Sequence, residues 1–313
     1  MNCIITLATG YRYEQIQAFF VSARRAGMTA TIYLIRSPKD ADIREAAVKD
    51  YPNTTIVKPF QMRFAPFTIR SSPLSQAASY SLAQVMRPLL RKAPNLFETT
   101  AELMACALHP MVSRYIFARD ILKANPNISK VMLTDVRDVI FQRDPFEDVH
   151  DKLHTGLEDK LMNKEPNNIR WVFALTHDFA TLQRLLEKTI ICAGVSLGPA
   201  NVVRQYLDEF TRQCVASWHR IKSIPAYDQG LHNFVLSGGQ TMIPVALEPL
   251  GSSVLMTVSN EWEKYWTLDE QMGVLGQDGR RVAIVHQFDR KYRLIEYFEK
   301  QFALKLPVSA YAS

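Results

Sequence analysis

Short apolar runs alternate with amphipathic segments in the N-terminal part of the chain. The run NCIITLA ends at a turn signal, Thr9-Gly10, and the next segment, RYEQIQAFFVSARRAG, places apolar residues at helical spacing before a glycine. A second apolar run, TATIYLI, follows directly. Strand, helix and strand in this order, with short connections, predict a right-handed βαβ unit whose strands are parallel.

The same alternation continues to the C-terminus, with one interruption rich in proline. Residues 61–100 contain Pro66, Pro73, Pro88 and Pro94, and we expect them to form irregular helices in an insertion. Further strands are predicted for TTIVKPF, KVMLTDV, RWVFALT, TIICAGVSLG, TMIPVAL and RVAIVHQFD. Further helices are predicted for DADIREAAVKDY, SRYIFARDILKANP, ANVVRQYLDEFTRQCVASW, DQGLHNFVL and YRLIEYFEKQFALKL.

This pattern indicates an α/β fold of the Rossmann-like type. We expect a mostly parallel central sheet flanked by helices, in a single domain that spans residues 1–313. A chain of 313 residues with 47% hydrophobic and 22% charged residues has the composition of an ordinary globular protein and can bury a large core.

Charge and cysteine content narrow the function classes. The net charge of +6 is dispersed in short pairs such as Arg24-Arg25, which argues against a nucleic-acid partner and suits a smaller polyanion such as a nucleotide diphosphate. The four cysteines lack the spacing of a zinc site or a disulfide framework. The segment MNCIITLATG does not resemble a signal peptide, and no stretch has the apolar length of a membrane span, so we expect a cytoplasmic protein.

Two aspartates follow the apolar run VMLT. Ligands of open parallel sheets bind at the carboxyl ends of the strands, and Asp135 and Asp138 come where this strand gives way to a loop. Two carboxylates in one turn can face a divalent cation. In the alternative interpretation, Asp135 caps a turn and Asp138 pairs with Arg137 or Arg143.

A histidine ends the late apolar strand AIVH. Neutral imidazole is a common ligand of manganese and similar ions, so His286 is a candidate third ligand from a second strand. The alternative is a histidine with a purely structural role.

The run LTDVRDVIFQRDPF resembles the acidic metal motif of glycosyltransferases with the GT-A fold, in which a strand ends in an Asp-x-Asp pair. The segments IITLATGY, CAGVSLGP with its following helix and DQGLHN, and IVHQFDR agree in kind and in order, from about residue 2 to about residue 290. The late histidine is similar to that of the retaining glycogenin and lipopolysaccharide galactosyltransferase families.

The resemblance implies roles for individual residues. Asp135, Asp138 and His286 would bind Mn²⁺ or Mg²⁺ and, through it, the donor diphosphate. Residues that would bind the nucleotide and the rest of the donor are Thr6, Ala8, Thr9, Tyr11, Arg114, Gly194 and Arg290, together with Asp135. For Arg114 the alternative is an exposed arginine on a helix.

The resemblance also places Asp228 and Gln229 beside the reacting carbon of the donor sugar, as catalytic residues. An N-cap is the alternative role for Asp228. Three departures stand out: the acids are one residue further apart than in Asp-x-Asp, Cys192 replaces a usual asparagine, and the Gly and Lys that follow the late histidine in glycogenin-like enzymes are missing.

The implied activity is transfer of a sugar from a nucleoside diphosphate sugar, a UDP-sugar, to a carbohydrate hydroxyl, with retention of configuration, in polysaccharide or glycan synthesis. Residues 1–146 would bind donor and metal, residues 147–290 a carbohydrate or lipid-linked glycan acceptor, and residues 291–313 would form a helix and tail. The alternatives are a non-catalytic protein that binds nucleotide sugar or polysaccharide and, less favoured, a nucleotidyltransferase.

The C-terminal helix leaves a further choice open. Its apolar residues Tyr292, Leu294, Phe298 and Phe302 either pack on the chain's own domain, which is the favoured interpretation, or dock on a partner or on the inner face of a cytoplasmic membrane. The sequence gives no indication of the oligomeric state.

Overall fold

A seven-stranded sheet forms the centre of the protein. The computed structural model describes residues 1–65, 72–176, 178–221, 226–238, 242–310 and 312. In spatial order the strands are β3 (Thr54–Val57), β2 (Thr31–Ile35), β1 (Asn2–Leu7), β4 (Lys130–Thr134), β7 (Thr189–Pro199), β6 (Leu153–Leu161) and β8 (Val245–Glu248).

Most neighbouring strands of this sheet are parallel. The pairs β3 with β2, β2 with β1, β1 with β4 and β6 with β8 run parallel, whereas β7 is antiparallel to both β4 and β6. Strands covered on both faces are expected to be continuous apolar runs, and the central residues of β1 and β4 are buried. The predicted α/β class with a mostly parallel sheet is confirmed.

Helices cover both faces of the sheet. One face packs against α1 (Gln17–Arg25) and α2 (Arg44–Asp50). The other face is covered by α3 (Pro73–Lys92), α4 (Phe97–Ala107), α5 (Pro110–Ala124), α6 (Pro166–Thr176), α7 (Phe179–Leu186), α8 (Ala200–Ser217) and α9 (Tyr227–Ser237). None of the described helices is long and apolar enough to cross a membrane.

A small second sheet brings the C-terminal part of the chain to the end of β4. It consists of β5 (Val139–Phe141), β12 (Ile284–His286) and β9 (Leu255–Thr257), with β12 in the middle. Strand β12 is antiparallel to β5 and parallel to β9. A hairpin of β10 (Thr267–Asp269) and β11 (Gly273–Leu275) lies between β9 and β12 in the sequence.

One predicted strand is a helix. The segment RWVFALT is not a strand but part of α6, in which Val172 and Leu175 are buried at helical spacing. A short apolar run fits either period, and Pro166 at the start of the helix favours the helical one.

The region 61–100 is more regular than its prolines suggested. Pro73 is the first residue of a helix of 20 residues, a position that tolerates proline. The Ser72 hydroxyl caps this helix by accepting a hydrogen bond from the Ser75 amide. Pro88 lies inside this helix, which continues to Lys92. Pro66 lies outside the described residues.

Two predicted strands are shorter than their apolar segments. RVAIVHQFD contributes only Ile284–His286 to a strand, and TMIPVAL contributes the start of β8, while Thr241 lies outside the described residues. The predicted C-terminal helix is α10 (Tyr292–Phe302). Leu294 and Phe298 of this helix are buried in the chain's own core, as the favoured interpretation expected, whereas Tyr292 is exposed.

Arg36 fixes the loop that follows β1. Its side chain is 2% exposed and donates hydrogen bonds to the carbonyls of Ala8 (2.9 Å), Tyr11 (3.2 Å) and Ala41 (3.2 Å). The Thr9 hydroxyl also accepts a hydrogen bond from the Ser37 amide (2.8 Å). The end of β2 therefore determines the shape of the loop after β1.

We expect Arg36→Met to destabilise the protein by about 2–4 kcal/mol, because the buried Ala8 carbonyl and the partly buried Tyr11 carbonyl lose their donor. Urea unfolding gives the free energy of unfolding. The control is Arg24→Met, whose side chain is 52% exposed, with an expected change within about 0.5 kcal/mol. Equal effects of the two substitutions would contradict the role given to Arg36.

Candidate functional site

A cavity of about 700 Å³ opens at the carboxyl ends of β1 and β4. This is the edge at which open α/β sheets bind ligands. Elements from the whole length of the chain contribute to its wall: the β1 loop with Thr9 and Tyr11, Arg114 of α5, Asp135 and Asp138, Gly194 of β7, Asp228 and Gln229 of α9, His286 of β12, and Arg290.

The three predicted metal ligands converge in this cavity. Atom Nε2 of His286 lies 3.7 Å from Oδ2 of Asp135 and 3.8 Å from Oδ2 of Asp138. One ligand atom from each of the three residues lies within 4.8 Å of the other two. Both carboxylates therefore reach the imidazole, although three positions separate them in the sequence.

The wide spacing of the acids follows from a change of sheet. Asp135 comes directly after β4 of the central sheet, whereas Asp138 comes directly before β5 of the small sheet. In the β5–β12 pair His286 lies opposite Val139, and the Gln287 amide donates a hydrogen bond to the Asp138 carbonyl (2.7 Å). Pairing between strands thus brings Asp138 to the histidine.

The residues fit a divalent cation. The His286 side chain is 1% exposed, and within the described chain its Nε2 has no hydrogen-bond partner. The side chains of Asp135 and Asp138 retain 26% and 18% exposure. Two carboxylates and one imidazole suit manganese, and a cation would satisfy the buried nitrogen.

Gly194 makes room for this cluster. A Cβ atom at this position would lie 2.2 Å from Cε1 of His286 and 3.0 Å from Oδ2 of Asp135. The resemblance implied that Gly194 lets the backbone approach the donor sugar or the acceptor. In the structure its missing side chain leaves space for the histidine and the first aspartate.

Arg114 is buried, so the alternative of an exposed helix arginine is wrong. Its guanidinium forms an ion pair with Asp135, a second one with Oδ2 of Asp228 (3.1 Å), and donates to the Ala193 carbonyl (3.4 Å). The two carboxylates outweigh the effect of burial and raise the pKa of Arg114 well above its ordinary value.

Asp228 is not an N-cap, because α9 begins at Tyr227 and its N-cap is Ala226, with a φ of 69°. Atom Oδ1 of Asp228 is buried and without a partner among the described residues. Gln229 is bound to β7: its side-chain oxygen accepts from the Ala193 amide (2.8 Å) and its nitrogen donates to the Ile191 carbonyl (2.8 Å). Gln229 thus fixes the backbone next to Gly194, and its catalytic role stays a prediction.

Burial and mutual charge shift the pKa values of the cluster. Burial, with the neighbouring Asp135, raises the pKa of Asp138 to about 6. Burial also acts to raise the pKa of Asp135, but Arg114 and His286 outweigh it, so this pKa lies well below its usual range. The pKa of His286 is raised well above its ordinary value, because interactions with Cys192, Asp138 and Asp135 outweigh burial.

The alternative ion pairs of Asp138 do not form. Arg137 pairs with Asp289, and Arg143 pairs with Asp148 (2.5 Å). Arg290 lines the cavity, and none of the described residues forms an ion pair with its guanidinium within 4 Å. Arg290 therefore remains the cation available for an anionic ligand.

Two predicted donor-binding residues lie beneath the cavity wall. Thr6 is buried and donates its hydroxyl hydrogen bond to the Thr134 carbonyl (2.7 Å), and Ala8 is buried with its carbonyl bonded to Arg36. In this part of the chain the wall is formed by Leu7, Thr9, Gly10 and Tyr11. Thr6 and Ala8 support these residues from behind.

Several wall residues were not predicted from the sequence. Chief among them are Asn168 and Trp171 of α6, with Glu165 just before that helix, and Glu158 and Lys160 of β6. Trp171 was inside a segment expected to be a strand. Only the helical period, which places residues 168 and 171 on one face, would have grouped them.

No protein-family model matches the chain, and a comparison with curated proteins gave no match.

We expect Gly194→Ala to weaken binding of Mn²⁺ by about tenfold or more, because the added methyl group would overlap His286. Calorimetric titration with MnCl₂ measures the affinity. Thermal unfolding without metal verifies that the variant is folded. Wild-type affinity in a folded variant would show that the ion does not bind at these three residues.

We expect the affinity for Mn²⁺ to rise with pH between about pH 5 and 7. Asp138, with a pKa raised to about 6, loses its proton in this window, and the ion displaces the proton of His286, whose pKa is raised further. Each displaced proton contributes about a tenfold change per pH unit. Titrations in buffers of different ionisation enthalpy count the released protons, and an affinity independent of pH would contradict the assignment.

Proposed function

We propose that this protein is a divalent-metal-dependent glycosyltransferase with the GT-A fold, which transfers a sugar from a UDP-sugar to a carbohydrate hydroxyl. One observation carries the proposal: Asp135, Asp138 and His286 converge at the carboxyl ends of parallel strands, inside a cavity that also contains the β1 loop. Retention of configuration is part of the proposal through the resemblance to the glycogenin-like families.

Asp135, Asp138 and His286 would hold Mn²⁺ or Mg²⁺. A divalent cation bound there would neutralise charge on the diphosphate leaving group. The histidine is buried and its neighbours are fixed, so the three residues need little reorganisation to bind the ion.

The β1 loop would bind the nucleoside. Thr9 and Tyr11 line the cavity, and Tyr11 is partly exposed there, so its ring offers a stacking surface for uracil. The loop is fixed before a ligand arrives, because Arg36 is bonded to the carbonyls of Ala8 and Tyr11. Fixed loops lose less conformational entropy on binding.

Arg290 and Asp228 would act on opposite charges of the reaction. The Arg290 guanidinium lines the cavity without an ion pair to a described residue and would bind the diphosphate. Burial raises the pKa of Asp228 to about 6, so its carboxylate is ionised above that pH and would stabilise the positive charge that develops on the sugar. Arg114 orients this carboxylate.

The acceptor would be a carbohydrate or a lipid-linked glycan, and the setting would be polysaccharide or glycan synthesis in the cytoplasm or at the inner face of its membrane. The mildly basic chain, with its net charge of +6, is compatible with either place.

We expect the protein to release UDP from at least one of UDP-glucose, UDP-galactose and UDP-N-acetylglucosamine when Mn²⁺ is present. Asp138→Ala is expected to lower this rate by about a hundredfold or more, because a ligand of the ion is lost. A coupled assay for UDP measures the rate. The control is Asp151→Asn, at an exposed residue outside the cavity wall.

Two outcomes would contradict the proposal in different ways. Thermal stabilisation by the nucleotide sugars without release of UDP would favour a binding protein on the same fold. If neither release nor stabilisation occurred with any of the three sugars, the UDP-sugar assignment would be wrong.

A further inference from the structure

Helix α6 presents an aromatic and an amide side chain to the cavity. Trp171 and Asn168 both line it, and their spacing of three residues places them on the same face of the helix. Trp171 is partly exposed. The other three tryptophans, Trp218, Trp262 and Trp266, are between 2% and 3% exposed, so Trp171 is the one tryptophan that a ligand in the cavity would touch.

The position of Trp171 is set by the packing of α6 against α9. A Cβ atom on Gly230 would lie 2.6 Å from Cβ of Trp171, so the glycine permits the close approach of the two helices. Val172 and Leu175, which continue the same side of α6, are buried in the core and fix the helix there. The same helix α9 carries Asp228, two positions before Gly230, so α6 packs against the helix that carries a predicted catalytic residue.

Asn168 brings an unsatisfied polar group to this wall. The residue is 6% exposed, and within the described chain its Oδ1 has no hydrogen-bond partner. Leaving a buried amide oxygen unpaired is costly, and a bound ligand that donates a hydrogen bond removes that cost. The ion pair of Lys160 and Glu165 (2.8 Å) adds charged groups to the wall.

An aromatic face next to an amide suits a pyranose ring. Such a ring has a C–H face, which packs on an indole, and hydroxyl groups around its edge, which donate to and accept from amides and carboxylates. A phosphate group has no apolar face with which to pack on the indole.

We propose that Trp171 and Asn168 form the acceptor subsite, in which a pyranose ring of the acceptor stacks on Trp171 and donates a hydroxyl hydrogen bond to Asn168. This assignment rests on the proposed glycosyltransferase function and specifies its acceptor as a sugar with an exposed C–H face. The nucleoside would then bind at Thr9 and Tyr11.

The intrinsic fluorescence of Trp171 provides the test. The full chain, in the presence of UDP and Mn²⁺, is titrated with the methyl pyranosides of glucose, galactose, mannose and N-acetylglucosamine. We expect a saturable change in emission with at least one glycoside and loss of that change in Trp171→Phe, because the remaining tryptophans are buried. Trp171→Phe keeps the Cβ atom that packs on Gly230, so we expect this variant to fold.

Calorimetry extends the test to Asn168. We expect Trp171→Ala and Asn168→Ala each to weaken glycoside binding roughly tenfold. The matched control is Phe179→Ala, which removes an aromatic ring that is 72% exposed outside the cavity wall and is expected to leave glycoside affinity unchanged. No response to any glycoside would overturn the subsite. A change in Trp171 emission caused by UDP alone would overturn the acceptor subsite as well, because the indole would then contact the nucleotide.

Binding of UDP and Mn²⁺ to the wild-type protein separates this inference from the proposed function. If UDP binds with the metal but no glycoside changes Trp171 emission, the acceptor subsite is wrong and the donor site stands. If a glycoside binds at Trp171 but UDP does not bind, the proposed transferase is wrong and a carbohydrate site stands. Absence of both would overturn both.

Discussion

The ion pairs of the buried Arg114 guanidinium hold the site together. This one side chain contacts Asp135 at the end of β4, Asp228 in α9 and the Ala193 carbonyl in β7, so three elements that are distant in sequence have a common partner. A buried cation without partners is strongly destabilising, and so is a buried carboxylate. Asp228 therefore cannot move away from Arg114 without leaving a buried carboxylate unpaired. The ion pair with Arg114 also occupies Oδ1 of Asp135, so that Oδ2 faces His286.

The second constraint is the junction between the two sheets. Asp135 belongs to the end of the central sheet and Asp138 to the start of the small sheet, and the two residues between them span the junction. One of these, Arg137, pairs with Asp289, so the turn is bonded to the segment that follows His286. Both acids reach His286 despite their wider spacing, because β12 pairs with β5.

Sequence reasoning reached the parts of this structure that depend on local pattern. The apolar runs of β1, β2, β3 and β4 identified the parallel strands, and the rule that ligands bind at strand ends singled out Asp135 and Asp138. It failed where a short apolar run fits two periods, as in α6, and so missed Trp171. It also could not find the partners of Arg114 and Gln229, because those hydrogen bonds join residues up to 114 positions apart. Such contacts are properties of the packed fold and have no local signal.

Unsatisfied polar atoms are concentrated at the cavity. Apart from Asp148, whose Oδ2 pairs with Arg143, seven of the described residues have a buried side-chain nitrogen or oxygen without a hydrogen-bond partner. Four of them, Asn168, Asp228, His286 and Gln287, line the cavity at the strand ends. Folded proteins pair nearly all buried polar atoms, because an unpaired atom loses its hydrogen bonds to water without replacement. The buried network of Tyr206, His232 and Thr155, by contrast, is paired at 2.7 and 3.2 Å. More than half of these unpaired atoms thus lie around this cavity, where a cation at His286 and hydroxyl groups at Asn168 would supply the missing partners.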